Sequence, residues 1–233
     1  MTTPARNPHR RSPRTETLVG VISVSAVVLS GIVLHAHPGG NAVDRIGFAL
    51  RSPAPHSPIF RAVAWLGTPV ALVAGAVAAA STARWITRRS RWRSLACLIG
   101  PLLAVGLDQL VLKPVVGRRY LGELSYASGS VTVVAGLATA WVLAVPARCR
   151  PVVTAAGALA VAAMVTAVVA LQWHFPSDAL AGVALGGGVV LLLDGSVRTW
   201  GSPRRTARGP WPVGRTGAVA TDEAPLPTPS GRA

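Results

Sequence analysis

Six stretches of this chain are apolar over a length that has a physical meaning. Leu18–Leu34, Ala62–Ala83, Gly129–Ala147 and Pro151–Trp173 carry no charge, Ser94–Leu112 carries Asp108, and Ala179–Val197 carries Asp194 near its end. A helix needs about 20 mainly apolar residues to cross a bilayer, within a range of about 17–25, and every stretch meets or approaches that. Gly, Ala and Val dominate them, which suits close helix packing in lipid; Gly182, Gly186, Gly187 and Gly188 crowd the last. The pattern predicts an all-α integral membrane bundle of six transmembrane helices over residues 17–200. A basic tail at 1–16 precedes it. A Pro-, Gly- and Arg-rich tail at 201–233 follows, lacks periodicity and is expected to be disordered.

The polar residues between the stretches set an orientation. Seventeen cations fall in the N-terminal tail, the 84–93 loop, Arg148, Arg150 and the C-terminal tail, against six in the alternate loops. The positive-inside rule then places both termini in the cytoplasm, in a multi-pass protein of the plasma (inner) membrane. Loops His35–Ile59, Lys113–Ser128 and His174–Ser177 face outward. A signal-peptide reading of residues 1–36 fits less well, because its 17-residue apolar core exceeds the usual ~7–15 and no clean A-x-A site follows.

Composition narrows the classes. The chain is 51% hydrophobic and 13% charged, well below the ~25% charged of a soluble domain, which excludes a soluble enzyme. The net charge of +15 is distributed between apolar runs rather than along one face, so it reads as topology and adhesion to anionic lipid, not nucleic-acid binding. Cys97 and Cys149 are too few for a disulfide framework. The expected partners are membrane lipids. No oligomeric state is legible.

Candidate chemistry gathers in two of the outward loops. Lys113, Arg118 and Arg119 lie within seven residues, and Lys113 is the one Lys among 23 Lys+Arg. Tyr126-Ala127-Ser128-Gly129-Ser130 opens the fourth span and offers caps and free N–H groups, the makings of an anion site. His174 precedes Pro176, which should initiate the sixth span, and Asp178 falls in its first turn. Taken singly, each cation also suits a lipid-interface anchor. Together the pieces can converge on a phosphate.

Their order resembles the type 2 phosphatidic acid phosphatase family of membrane lipid phosphatases, whose motifs are Lys-x6-Arg-Pro, Pro-Ser-Gly-His and Ser-Arg-x5-His-x3-Asp. Here they read KPVVGRRY from Lys113, YASGS from Tyr126 and AVVALQWHFPSD from Ala167. The resemblance implies that His174 attacks phosphorus and forms a phosphohistidine, with Asp178 orienting it. It implies phosphate binding by Lys113, by Arg118 and Arg119 sharing the first-motif Arg role, and by Ser128, Gly129 and Ser130 at the helix start. It implies no metal and no cofactor.

Three departures bear on the reaction. Ser130 stands where the family has its proton-donating His, Ala127 replaces the second-motif Pro, and Ala167-Val168 replace Ser-Arg. A positioned general acid contributes about 10²–10⁴-fold, and serine cannot act as one near neutral pH. A phosphate leaving group, with a second pKa of about 6, does not need that proton. The expected substrate is therefore a lipid pyrophosphate such as a prenyl diphosphate. His35, His37 and His56 are the other outward histidines available as a substitute acid. The alternatives are a catalytically impaired relative that binds lipid phosphate or acts as a scaffold, and a small transporter using Asp108 and Asp194. The transporter lacks an inverted repeat.

Overall fold

The computed structural model describes residues 12–36, 41–48 and 57–200. Residues 1–11 of the N-terminal tail, the C-terminal tail, His37 and His56 lie outside the described residues, and the last residues of the expected 1–16 tail belong to the first helix. Helix α1 (Pro13–Ala36) is followed by two short helices, α2 (Ala42–Phe48) and α3 (Pro58–Ala64), and by α4 (Pro69–Ser81), which continues as a π-helical turn to Ile86. Helix α5 (Arg91–Leu107) runs through a second π-helical turn, Asp108–Leu112, into α6 (Lys113–Val116). The two-residue strands β1 (Arg119–Tyr120) and β2 (Glu123–Leu124) pair antiparallel. Helices α7 (Gly129–Ala144), α8 (Arg150–Ala170) and α9 (Pro176–Trp200) complete the bundle.

Among the described residues five helical segments are long and apolar enough to cross a membrane: Pro13–Ala36, Pro69–Ile86, Arg91–Val116, Ala147–Ala170 and Pro176–Thr199. The expected span at 129–147 is shorter, because α7 has 16 residues and rises about 24 Å. It stops where Val145 turns extended ahead of Pro146, as a residue before proline tends to. Most of α7 is buried, against α4, α5, α8 and α9. A helix sheathed by protein need not match the bilayer thickness.

The expected span at 62–83 also begins later. Thr68 caps α4 by accepting from the Ala71 N–H at 3.3 Å, and Pro69 occupies the first helical position. Residues 65–67 form a separate 3₁₀ turn.

Outward surfaces are apolar: Leu29, Ile32, Val70, Leu110 and Leu159 are all more than half exposed. The interior is built of small residues such as Ala76, Ala79, Ala140 and Ala179. That inversion suits a lipid solvent, where small side chains let helices approach. Helix α9 is the hub, packed on α1, α5 and α7. Its two ends carry the buried carboxylates Asp178 and Asp194. Asp194 receives Arg93 through two bonds of 3.0 and 2.7 Å, and Arg198 at 3.1 Å, while Arg198 also bonds Glu16. This network ties α1, α5 and α9 together at one end of the bundle. The other end holds the site.

Candidate active site

Four connections meet at the Asp178 end. The π-helical turn after α5 adds a residue to the helical winding, a feature frequent at functional sites. It carries Asp108 and delivers Lys113 to α6. Gly117 ends α6 in the left-handed region at φ 63°, which glycine adopts without a Cβ clash. The β1–β2 hairpin returns the chain to residues 125–128. Ser128 then opens α7, and the 171–175 connection leads from α8 into α9.

His174 is held through its main-chain neighbours. Its Nδ1 lies 2.9 Å from the Ser125 carbonyl oxygen, so that nitrogen carries the proton and donates. Nε2 is left with its lone pair. Burial first, and the charge of Lys113 second, push the imidazole down to about 4. His174 is therefore neutral at pH 7, the state a nucleophile requires.

Asp178 takes a different place from the one expected. Its Oδ1 accepts from Arg118 at 2.5 Å, and its Oδ2 is buried without a hydrogen-bond partner. The group seated on the His174 Nδ1 is the Ser125 carbonyl. A carboxylate at i+4 of the preceding loop turns into the helix barrel, where Arg118 meets it. Positioning of His174 falls to the backbone.

Arg118 and Arg119 separate completely. Arg118 is fully buried, donating to Asp178, to Asp44 at 2.7 Å and to Ser177 Oγ at 2.8 Å, and its guanidinium lies 3.9 Å from the Phe175 ring centroid. Arg119 is exposed and closes the hairpin by donating to the Gly122 carbonyl at 2.9 Å. Neighbours in an extended segment point to opposite faces, so the two cannot share one role. That expectation is corrected.

Lys113 is half-buried and within electrostatic reach of His174 and Asp108, yet its side chain makes no hydrogen bond or ion pair among the described residues. Asp108 is fully buried and accepts from the Ala127 N–H at 3.0 Å and the Gln109 amide at 2.9 Å. The Gln109 amide in turn packs against Gly129, and a Cβ there would make it shift.

Ser128 sits at the N-cap of α7, but its side chain makes no cap bond and its Oγ is buried without a partner. Its own N–H donates to the Asp178 carbonyl at 3.0 Å. Gly129, Ser130 and Val131 follow as first-turn residues, whose N–H groups have no intrahelical acceptor. Ser130 packs on the 65–67 turn, with its Cβ 2.5 Å from where a Gly67 Cβ would lie.

One contributor, Asp44, lies outside the family motifs. Asp44 is fully buried and binds both Arg118 and the Ser177 N–H, at 2.7 and 2.9 Å. Burial opposes its charge, but the N–H groups of Asn41 and Ser177 and the Arg118 guanidinium bring its carboxyl below the usual range. A reciprocal pair, Asn41 N–H to Asp44 and Asp44 N–H to the Asn41 side chain, both 3.0 Å, forms a capping box over α2. That Asn-x-x-Asp spacing is the signal that would have found it. Of the substitute acids, His35 is anchored at 3.0 Å to the Val116 carbonyl oxygen.

No family model and no curated protein matches the chain. Among solved structures it is similar to the first transmembrane PAP2-type phosphatidylglycerolphosphate phosphatase, from Bacillus subtilis, at 22% identity and a TM-score of 0.57. The match covers 78% of this chain and 98% of that one. The backbone that gathers Lys113, Ser128 and His174 at one end of a helical bundle is thus shared with a known membrane phosphatase. The resemblance read from the motifs holds at the level of architecture: this chain has the PAP2-type transmembrane fold.

Proposed function

We propose that this protein is a membrane lipid phosphatase of the type 2 phosphatidic acid phosphatase family. It removes the terminal phosphate of a lipid pyrophosphate, a prenyl diphosphate, through a phosphohistidine on His174. The observation that carries the reading is the neutral His174, its Nδ1 proton committed to Ser125 and its Nε2 free, beside the Lys113 ammonium, which forms no ion pair among the described residues.

In this mechanism Nε2 attacks the terminal phosphorus. The bond to the bridging oxygen breaks, and its electron pair leaves with the lipid monophosphate. Lys113 and the first N–H groups of α7 stabilise charge on the equatorial oxygens, with Ser128 Oγ as a further donor. Water then attacks the phosphohistidine, releasing inorganic phosphate and restoring His174. No side chain protonates the leaving group, which fits Ser130. The cation asymmetry supports an outward-facing site in the plasma membrane.

The test is direct. Turnover of a prenyl diphosphate labelled in its terminal phosphorus, quenched in base, leaves acid-labile label on the parent protein and none on His174→Ala. Phosphate release by the parent without any trapped label refutes the covalent step.

One observation favours a second reading, in which lipid phosphate is bound but not hydrolysed. Arg118, placed by the first motif for phosphate binding, is already neutralised by Asp44 and Asp178. Under that reading neither protein releases phosphate, while the lipid still binds.

A further inference from the structure

The far end of the bundle carries a second feature, which the proposed phosphatase chemistry does not use. A cavity of about 340 Å³ opens between the end of the α4 segment and the start of α5. Ser81, Arg84 and Trp85 line it from one side, and Arg91, Ser94 and Leu95 from the other. Lys113 stands at the opposite end of the α5–α6 segment, 22 residues from Arg91, or about 33 Å along a helical rise. The two places are separate.

The arginines at this end divide into two groups. Arg93 and Arg198 are spent on Asp194 and Glu16. Arg84 and Arg91 are exposed, and neither makes a hydrogen bond or ion pair among the described residues. Their guanidinium carbons lie 5.6 Å from the Trp85 ring and 5.1 Å from the Trp92 ring respectively. Contact with a ring face at that distance is a weak cation–π interaction that leaves the guanidinium N–H groups available. Trp85 is 75% and Trp92 43% exposed; aromatic residues in that position sit at headgroup level. The cavity therefore lies where two spans leave the hydrocarbon, with cations and the Ser81 hydroxyl at its mouth and Leu95, Leu98 and Ala80 along its wall.

We infer that this cavity is a binding site for the headgroup of an anionic phospholipid. Arg84 and Arg91 grip the phosphate from two helices, and the apolar wall takes the upper part of the acyl chain. Two guanidiniums from different helices, at one cavity and without a carboxylate partner among the described residues, are complementary to an anion. The apolar wall makes a lipid the fitting source, and a free phosphate would leave that wall bare.

Binding of a fluorescent phosphatidylglycerol to the full chain in neutral detergent tests the site. As a phosphodiester this lipid offers no terminal phosphate for the His174 end to remove. The parent is expected to bind it in preference to phosphatidylcholine. Arg84→Gln with Arg91→Gln should weaken binding about 30-fold. Arg88→Gln with Arg148→Gln removes equal charge from exposed positions outside the cavity lining and should change it less than about twofold. Lys113→Gln should leave it unchanged. Parent-like binding by the first pair, an equal loss in the second, or a loss that follows Lys113→Gln overturns the inference.

Discussion

Helix α9 carries a buried arginine–carboxylate cluster at each end, and the two differ in what they leave over. At the Asp194 end, Arg93 and Arg198 meet Asp194 and Glu16, two cations against two carboxylates. At the Asp178 end, Arg118 faces both Asp44 and Asp178, while among the described residues Asp178 Oδ2 and Ser128 Oγ have no hydrogen-bond partner and the Lys113 ammonium forms no ion pair. Buried polar atoms without partners cost about 1–3 kcal/mol each. Arg150 Nε, within electrostatic reach of Asp194 and Glu16, is likewise buried without a hydrogen-bond partner among the described residues, so the unpaired Lys113 ammonium is what sets the Asp178 end apart. On the proposed function the first cluster is a staple and the second is the site.

Substitutions should separate the two. The largest effect belongs to His174→Ala, expected to lower phosphate release by roughly 10⁴–10⁶-fold without moving the melting temperature. Lys113→Gln should lower kcat/KM by about 10²–10³-fold, again with little change in melting, because the Lys113 ammonium makes no hydrogen bond or ion pair among the described residues. Arg93→Met should do the reverse. It leaves Asp194 with Arg198 alone and costs up to about 3 kcal/mol of stability, while the folded fraction keeps its kinetic constants. A Lys113 variant that melts early, or an Arg93 variant that changes KM, would erase the distinction.

A smaller effect lies in the pH profile. His174 attacks as the free base, and its pKa is pushed down to about 4 from an ordinary value of about 6.5. Activity should hold through pH 6 and fall only as the pH drops through about 4. Lys113→Gln removes one charge opposing the imidazolium, so the residual activity should show that acidic limb at higher pH. The least effect belongs to Arg119→Gln, expected to stay within about twofold because Arg119 serves only the hairpin.

Hydropathy made the helices legible because spans in lipid are defined by length and composition. It could not place the break at Thr68, where a side-chain cap and a proline start α4 inside an apolar run. It could not shorten α7 either, since burial by protein leaves no mark distinct from burial by lipid. At the candidate site, residue type pointed to His174, Lys113 and Ser128, which the fold brings to one end of the bundle. The Ser125 carbonyl was invisible because every residue has one. Asp44 was missed because its partners lie 74 and 133 residues away, a closure that only the folded bundle makes. Adjacent Arg118 and Arg119 were separable in principle by strand parity.

The most direct measurement is phosphate release by the detergent-purified protein from a prenyl diphosphate and from the matching prenyl monophosphate, with His174→Ala beside both. The expected result is release from the diphosphate at a rate about 10²-fold or more above the monophosphate, as a site without its general acid requires, and none from the variant. Equal turnover of the two substrates, or undiminished release by His174→Ala, would contradict a phosphohistidine route that relies on its leaving group.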